Sequence, residues 1–493
     1  MPFVVKQMGI VYKQSATNTI ILFIGFFIGG INVLFLYTHF LDDEYYGLIT
    51  FLLSTATILL PFLIFGMHNA VVKFYSAYKT KEEKDSFLTT SLFLPLLLII
   101  PSVLIGSLAY EHVSNWISKT NPLIKNYTYL IFFVAIFMGY FELFYAWSKV
   151  QLQSVFGNFI KEIFARFATS ILLLLVYSEK ITNSEFIYLV VIVYGIRMLI
   201  MLFYALYLYR PKLTFKRPQN IKKVVSYSLF MIVAGSAGFV LLEIDKFMIP
   251  QIQEGISKVA YYAVGIYIAS VVGIPARAMQ QIATPITAKE LNDNNLKNVE
   301  SLYKSSSINQ LLAGGLLFLL INLNVQDLYA IINKPEYTNG VLIVLLISIA
   351  KIVELAMGTN TAILSNSKYY KAFFYISLAM ALSIVLTNNW LINLYGNNGA
   401  AIATLLVVTI FIIFKVSYVQ FKLKMHPFSL KTALIIAIII VFFALFYWID
   451  ITVNPYLNII LKTLIVSCLY LYTSYKLKIS DEFNDFVNGY LKQ

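Results

Sequence analysis

Apolar runs close to the length of a bilayer crossing recur along almost the whole chain, separated by short polar stretches. An α-helix needs about 20 such residues to cross the hydrocarbon layer. Backbone groups in lipid must be paired internally, so each run is read as a helix. The pattern predicts an all-α polytopic membrane protein of about 14 transmembrane helices, at about 17–38, 46–67, 87–110, 127–147, 159–178, 186–209, 224–249, 259–284, 306–324, 339–364, 371–391, 400–421, 432–449 and 456–475. The first run follows Lys6 and Lys13, is too long for a signal core, and meets no small-residue cleavage site before Asp42. It reads as a retained first span.

The connections are short. The longest lies near Pro285–Ser305, which leaves no room for a soluble domain of any size. The basic segment from Arg210 to Pro218 follows the sixth span and is the natural linker between two six-helix halves. The expected division is an N-terminal lobe at 1–210 (helices 1–6), a C-terminal lobe at 211–425 (helices 7–12), and 426–493 with helices 13–14 and a tail. The halves read as parallel repeats. Gly25, Gly29 and Asn32 share one face of the first helix, as Ala234, Gly238 and Asp245 do on the seventh. A Tyr pair follows each (Tyr45-Tyr46, Tyr261-Tyr262), and a proline interrupts each second helix (Pro61, Pro275). Small residues also recur in membrane helices for packing alone.

Composition agrees with this class. Only 12% of the 493 residues are charged and 59% are hydrophobic, whereas a soluble domain has about 25% charged. A net charge of +13 would point to nucleic acid in a soluble protein, but its placement gives another cause. With the N-terminus inside, the outer segments hold only Lys119, Lys125, Lys180, Lys258 and Lys334 of the 37 Lys and Arg residues. Most of the remainder lies in the inner segments, so the positive-inside rule puts both termini in the cytoplasm. No nucleic-acid partner is needed. The single cysteine, Cys468, excludes an intrachain disulfide.

Motifs of soluble enzymes are missing. His39, His68, His112 and His426 fall at span edges and form no H-E-x-x-H-type ligand set, and no Gly-rich phosphate loop occurs. Neither a metal nor a cofactor is expected, and the protein reads as a non-enzyme. Asp42-Asp43-Glu44, the one outward acidic cluster, would be the catalytic feature of a membrane glycosyltransferase, but it reads more simply as a solvated turn.

Charges inside spans are expensive and tend to face a cavity or a partner. Arg197 lies near the middle of the sixth span with no acidic residue one turn away. Arg277 shares a stripe with Ser270, Gly273, Gln281 and Thr284, which reads as the wall of a hydrated cavity. Lys351 reaches Glu354 at i+3, and Arg166 reaches Glu162 at i,i+4 or Glu142 on the fourth span. Lys161 is near enough to the span edge to snorkel to water. Glu243 and Lys246 are i,i+3 neighbours, while Asp245 lies about 200° away on the small-residue face, where it either gates or couples transport or meets interfacial water. Several cations at membrane depth imply a polyanionic guest, phosphate or carboxylate.

Two stretches carry a family resemblance. One is Gly47-Leu48-Ile49-Thr50 through Gly66-Met67-His68-Asn69-Ala70-Val71-Val72-Lys73-Phe74, preceded by Gly9-Ile10-Val11-Tyr12-Lys13-Gln14-Ser15-Ala16-Thr17-Asn18-Thr19. The other is Ile244-Asp245-Lys246-Phe247-Met248-Ile249. Together with the span count and tiny loops, they resemble the polysaccharide-export (O-antigen, Wzx-type) flippases of the multidrug/oligosaccharidyl-lipid/polysaccharide exporter superfamily. The resemblance implies two six-helix lobes around a central cavity, two extra C-terminal helices, and alternation between inward- and outward-open states. The implied cargo is an O-antigen (lipopolysaccharide), capsule or exopolysaccharide repeat unit on a polyprenyl pyrophosphate, flipped across the bacterial cytoplasmic (inner) membrane. The implied cationic cavity maps by type and depth onto Arg277, Arg197, Lys351 and Arg166.

The expectation is therefore a flippase among membrane lipids, working beside glycosyltransferases and a glycan polymerase. A coupling ion, proton or Na⁺, would bind Asp245 or Glu354, with Glu243 as a further gating candidate. The competing readings are a cation-coupled multidrug antiporter of the same superfamily, a lipid II flippase, and the polymerase or ligase of the same glycan.

Overall fold

In the computed structural model, residues 2–491 are described; the side chains of 2–13, Ser15, Ala16, Ala234, Gly235, Leu242, Gln281, Tyr490 and Leu491 lie outside that description. Among the described residues every regular element is helical. The helices that follow from the apolar runs are α1 (Thr17–Phe40), α2 (Asp43–Leu63), α3 (Lys81–Leu108), α4 (Pro122–Val150), α5 (155–177), α6 (Asn183–Leu208), α7 (Ile221–Ile252), α8 (Ser257–Gln280), α9 (Leu296–Asn322), α10 (Pro335–Ala356), α11 (Tyr370–Tyr395), α12 (Asn397–Leu423), α13 (Leu430–Phe446) and α14 (Pro455–Lys476). Twelve of these are long and apolar enough to cross a membrane. The other two of the fourteen are α13, a shorter apolar helix, and α5, which a π-helical turn at Ile160–Phe164 divides. The protein is a multi-pass membrane protein. The connection expected near Pro285–Ser305 is itself largely helical, because the helices Ile274–Asn292 and Leu296–Asn322 almost meet.

The chain forms two compact units, Met1–Ala260 and Tyr261–Gln493. In the first, α2 packs against both α4 and α7, and its Leu48, Phe51, Leu52 and Ala56 are fully buried. Phe51 stacks on Phe247 of α7 with ring centroids 5.8 Å apart. Asn121 pins the end of α7: its Nδ2 donates to the carbonyls of Pro250 (2.6 Å) and Gln253 (3.0 Å), and its Oδ1 accepts from Gly255 N (2.9 Å). The basic segment ahead of α7 is strapped onto the start of α3 and its preceding turn. Ser86 Oγ donates to Lys216 O (2.6 Å), Tyr78 Oη to Gln219 O (2.9 Å), and Tyr209 Oη to Asp85 Oδ1 (2.8 Å).

The small residues of α1 serve close packing. A Cβ on Gly25 would lie 2.7 Å from Glu162 O of α5. Farther along, Asn32 Nδ2 donates to Arg166 O (2.8 Å) and Asn32 Oδ1 accepts from Ser170 Oγ (2.6 Å). Here α1 has a π-helical turn of its own, Asn32–Leu36. Each π turn holds one residue more than an α turn and re-aims the side chains beyond it.

In the second unit, Val272, Leu311, Leu319, Leu355, Ile435 and Tyr470 form a fully buried core. The proline interruption appears as a 3₁₀ turn at Val271–Gly273 just before Pro275. A buried lysine, Lys462, donates to Leu323 O (3.1 Å) and to Asp450 Oδ1 (3.3 Å), which satisfies a cation that would otherwise be costly at that depth.

Candidate functional site

A cavity of about 420 Å³ opens inside the first unit; four helices bring charge to it and a fifth brings a histidine. The α2 helix ends in two consecutive left-handed residues, Phe65 (φ 54°) and Gly66 (φ 60°). This sharp turn starts a short helix, Met67–Phe74, and sets His68 on the cavity wall. Phe141, Phe144 and Trp147 of α4 are buried in the core, while Glu142 lines the cavity. The π turn of α5 and the residues after it present Lys161, Glu162 and Arg166. Arg197 comes from the middle of α6 and Glu243 from α7.

Three carboxylates thus meet three cations, and most are paired. Lys161 Nζ lies 2.6 Å from Glu142 Oε1, Arg166 Nη1 lies 3.0 Å from Glu162 Oε2, and Lys246 Nζ lies 2.7 Å from Glu243 Oε2. Arg166 therefore takes Glu162, one of its two expected partners, and the i,i+3 pair of Glu243 with Lys246 forms. Lys161 departs from expectation. It does not simply extend to water, because α5 brings it within reach of Glu142 on α4.

Arg197 differs from the other cations. It is only 7% exposed, and its guanidinium lies 3.9 Å from the centroid of the Phe141 ring. Its buried Nε has no hydrogen-bond partner among the described residues, and neither has His68 Nδ1. Burying a donor unpaired costs about 1–3 kcal/mol. Both atoms belong to side chains that line the cavity. Asp245 is buried but does not line this cavity.

The remaining expected residues lie in the second unit. Lys351 Nζ is 2.8 Å from Glu354 Oε2, and Gly273 leaves room for the lysine stem, since a Cβ there would lie 3.3 Å from Lys351 Cδ. Arg277 Nη2 donates to Ser270 O (3.1 Å), an exposed contact on the stripe seen in the sequence. Lys415, which sequence reasoning passed over, is buried and lies close enough to act electrostatically on Glu354, as does Arg277. A lone lysine between Phe414 and Val416 was the available signal. The second unit also contains an apolar groove of about 640 Å³, walled by residues such as Ile349, Ile352, Ile412, Val416, Ile436 and Ile440. Among the described residues no three His, Cys, Asp or Glu side chains converge as a metal site.

Comparison with known proteins places this architecture. The fold is similar to that of lipid II flippase MurJ in its inward closed conformation, with a TM-score of 0.73 and 16% identity over 94% of this chain and 99% of that one. It is also similar to an inward-facing multidrug resistance MATE family transporter of the MOP superfamily (TM-score 0.58, 13% identity, 84% of this chain and 94% of that one). A third likeness is to a MOP superfamily transporter from Pyrococcus furiosus whose binding pocket has reverse polarity (TM-score 0.53, 13% identity, 84% and 96%). No curated protein matches by sequence. Residues 15–289, more than half of the chain, match the family described as polysaccharide biosynthesis protein. With that match spanning the helices that build the cavity, the chain belongs to the polysaccharide biosynthesis protein family and has the fold of the MOP superfamily transporters.

Proposed function

We propose that the protein is a flippase that moves a polyprenyl-pyrophosphate-linked oligosaccharide, such as an O-antigen, capsule or exopolysaccharide repeat unit, from the inner to the outer leaflet of the bacterial cytoplasmic membrane by alternating access. The carrying observation is the buried Arg197, whose Nε has no partner among the described residues, beside a charged cavity. A pyrophosphate crosses lipid slowly because stripping its water is so costly. A buried guanidinium offers fixed donors in place of that water. The sugar family and the flippase-like fold support this cargo. The apolar groove of the second unit suits a polyprenyl chain, which needs no polar partner. In this reading both termini are cytoplasmic, the repeats are 1–210 and 211–425 with 426–493 appended, and glycosyltransferases and a polymerase act before and after. Arg166, Lys351 and Arg277 are supporting cations.

Lipid II is the second reading, favoured by the likeness to MurJ; its pyrophosphate makes the same demand. The multidrug antiporter is separable by charge. Purified protein should gain a few degrees of thermal midpoint in saturating inorganic pyrophosphate, as binding to the native state requires, and none in tetraphenylphosphonium. The opposite pattern would favour the antiporter.

Energy coupling is a separate part of the proposal. Proton or Na⁺ would bind Asp245 or Glu354, with Glu243 gating, because carboxylates at membrane depth mark ion pathways. Asp245→Asn or Glu354→Gln should slow gradient-driven transport by about fivefold or more. Normal transport by both variants, with and without a gradient, removes this assignment.

A further inference from the structure

The histidines seemed unremarkable from the sequence, yet the left-handed turn at Phe65-Gly66 carries His68 to the cavity that holds Arg197. Asn69 Nδ2 lies 3.0 Å from His68 Nε2. With the Asn69 amide in this orientation, Nε2 accepts and the neutral ring carries its proton on Nδ1. That Nδ1 is buried and has no partner among the described residues. His68 lines the cavity together with Arg197, whose buried Nε likewise has no partner among the described residues.

We infer that His68 contacts the pyrophosphate in this cavity through Nδ1 and that anion binding takes up a proton at its ring. The inference rests on the proposed anionic cargo and adds a residue and a linked proton to it. The charged groups facing the ring or its cavity are Glu142 and Lys149 from α4, Lys161, Glu162 and Arg166 from α5, Arg197 from α6 and Glu243 from α7. Burial pushes the His68 ring below its usual range, Lys149 and Lys161 push the same way, and Glu142 opposes them. These surroundings disfavour the charged ring. A phosphate oxygen beside Nδ1 reverses that balance and raises the ring's proton affinity. Protonation makes Nε2 a donor, which Asn69 meets by turning its Oδ1 inward. Protons are taken up between the empty-site and loaded-site values, and affinity falls as pH rises through the loaded one.

Calorimetric titration of the purified full chain with inorganic pyrophosphate near pH 7, in two buffers of different ionisation heat, counts protons taken up per anion. The ligand's own proton equilibria cancel between variants. The native protein should take up about half a proton or more beyond His68→Gln, with binding in the variant weakened by about tenfold or less. In the native protein, bound pyrophosphate should also slow carbethoxylation of His68 by diethyl pyrocarbonate, a readout that needs no variant. Binding with equal proton uptake in both forms, or undiminished modification of His68, overturns the inference and leaves the anion site standing. No pyrophosphate binding by the native protein overturns both.

Discussion

Replacing Arg197 with alanine should cut translocation of a lipid-linked oligosaccharide in reconstituted vesicles by about 10- to 100-fold, the worth of a lost hydrogen bond to a charged group at about 1.5–3 kcal/mol. Arg197 is the buried cation of the first-unit cavity whose Nε is unpaired, and its plane rests against Phe141. Arg197→Lys should restore only a fraction of the rate, because an ammonium keeps the charge but loses the planar donor fork and the ring contact. Thermal stability should not fall in step with transport, since a buried, incompletely paired charge is not a source of stability. Arg277→Ala should have a smaller effect, because Arg277 donates to Ser270 O in an exposed setting. Unchanged rates in both alanine variants would remove the cationic-site assignment.

Gly47→Ala should destabilise the first unit by about 3 kcal/mol, at the upper end for overpacking. A Cβ at Gly47 would fall 2.0 Å from the carbonyl oxygen of Ile256. That obstacle is backbone in the α7–α8 turn, which Asn121 already holds in place, so relief requires moving a helix end. Gly238→Ala is the control. Nothing lies within 4 Å of a Cβ there, and alanine in a helix should stabilise by up to about 1 kcal/mol. Denaturation midpoints of the two variants should therefore move in opposite directions. A neutral Gly47→Ala would mean that α2 and the turn are not in close contact.

The contrast between these glycines shows what could be read from sequence. Gly238 stood out as a small residue of an apolar helix and Gly47 only as part of the resembling stretch, and only the fold reveals that Gly47 meets a backbone and Gly238 open space. The spans were legible because bilayer thickness fixes their length. The i,i+3 and i,i+4 pairs at Lys351–Glu354, Glu162–Arg166 and Glu243–Lys246 were legible because helix geometry alone sets them. The Lys161–Glu142 pair was not, since it joins two helices and depends on a π turn with no local sequence rule. His68 was hidden for a similar reason: two left-handed residues redirect the chain at what reads as the end of a span. The packing of α7 within the first compact unit also follows from tertiary contacts at Gly47, Phe51 and Asn121.

The central claim is that this chain moves a pyrophosphate-linked oligosaccharide between leaflets. Its most direct test uses vesicles bearing that lipid in both leaflets and an external, impermeant glycan-cleaving enzyme. Protein-free vesicles should expose about half of the lipid, because the head group does not cross unaided. Vesicles holding the native protein should lose nearly all of it. A plateau at the protein-free level, with the protein folded and inserted, would contradict the account.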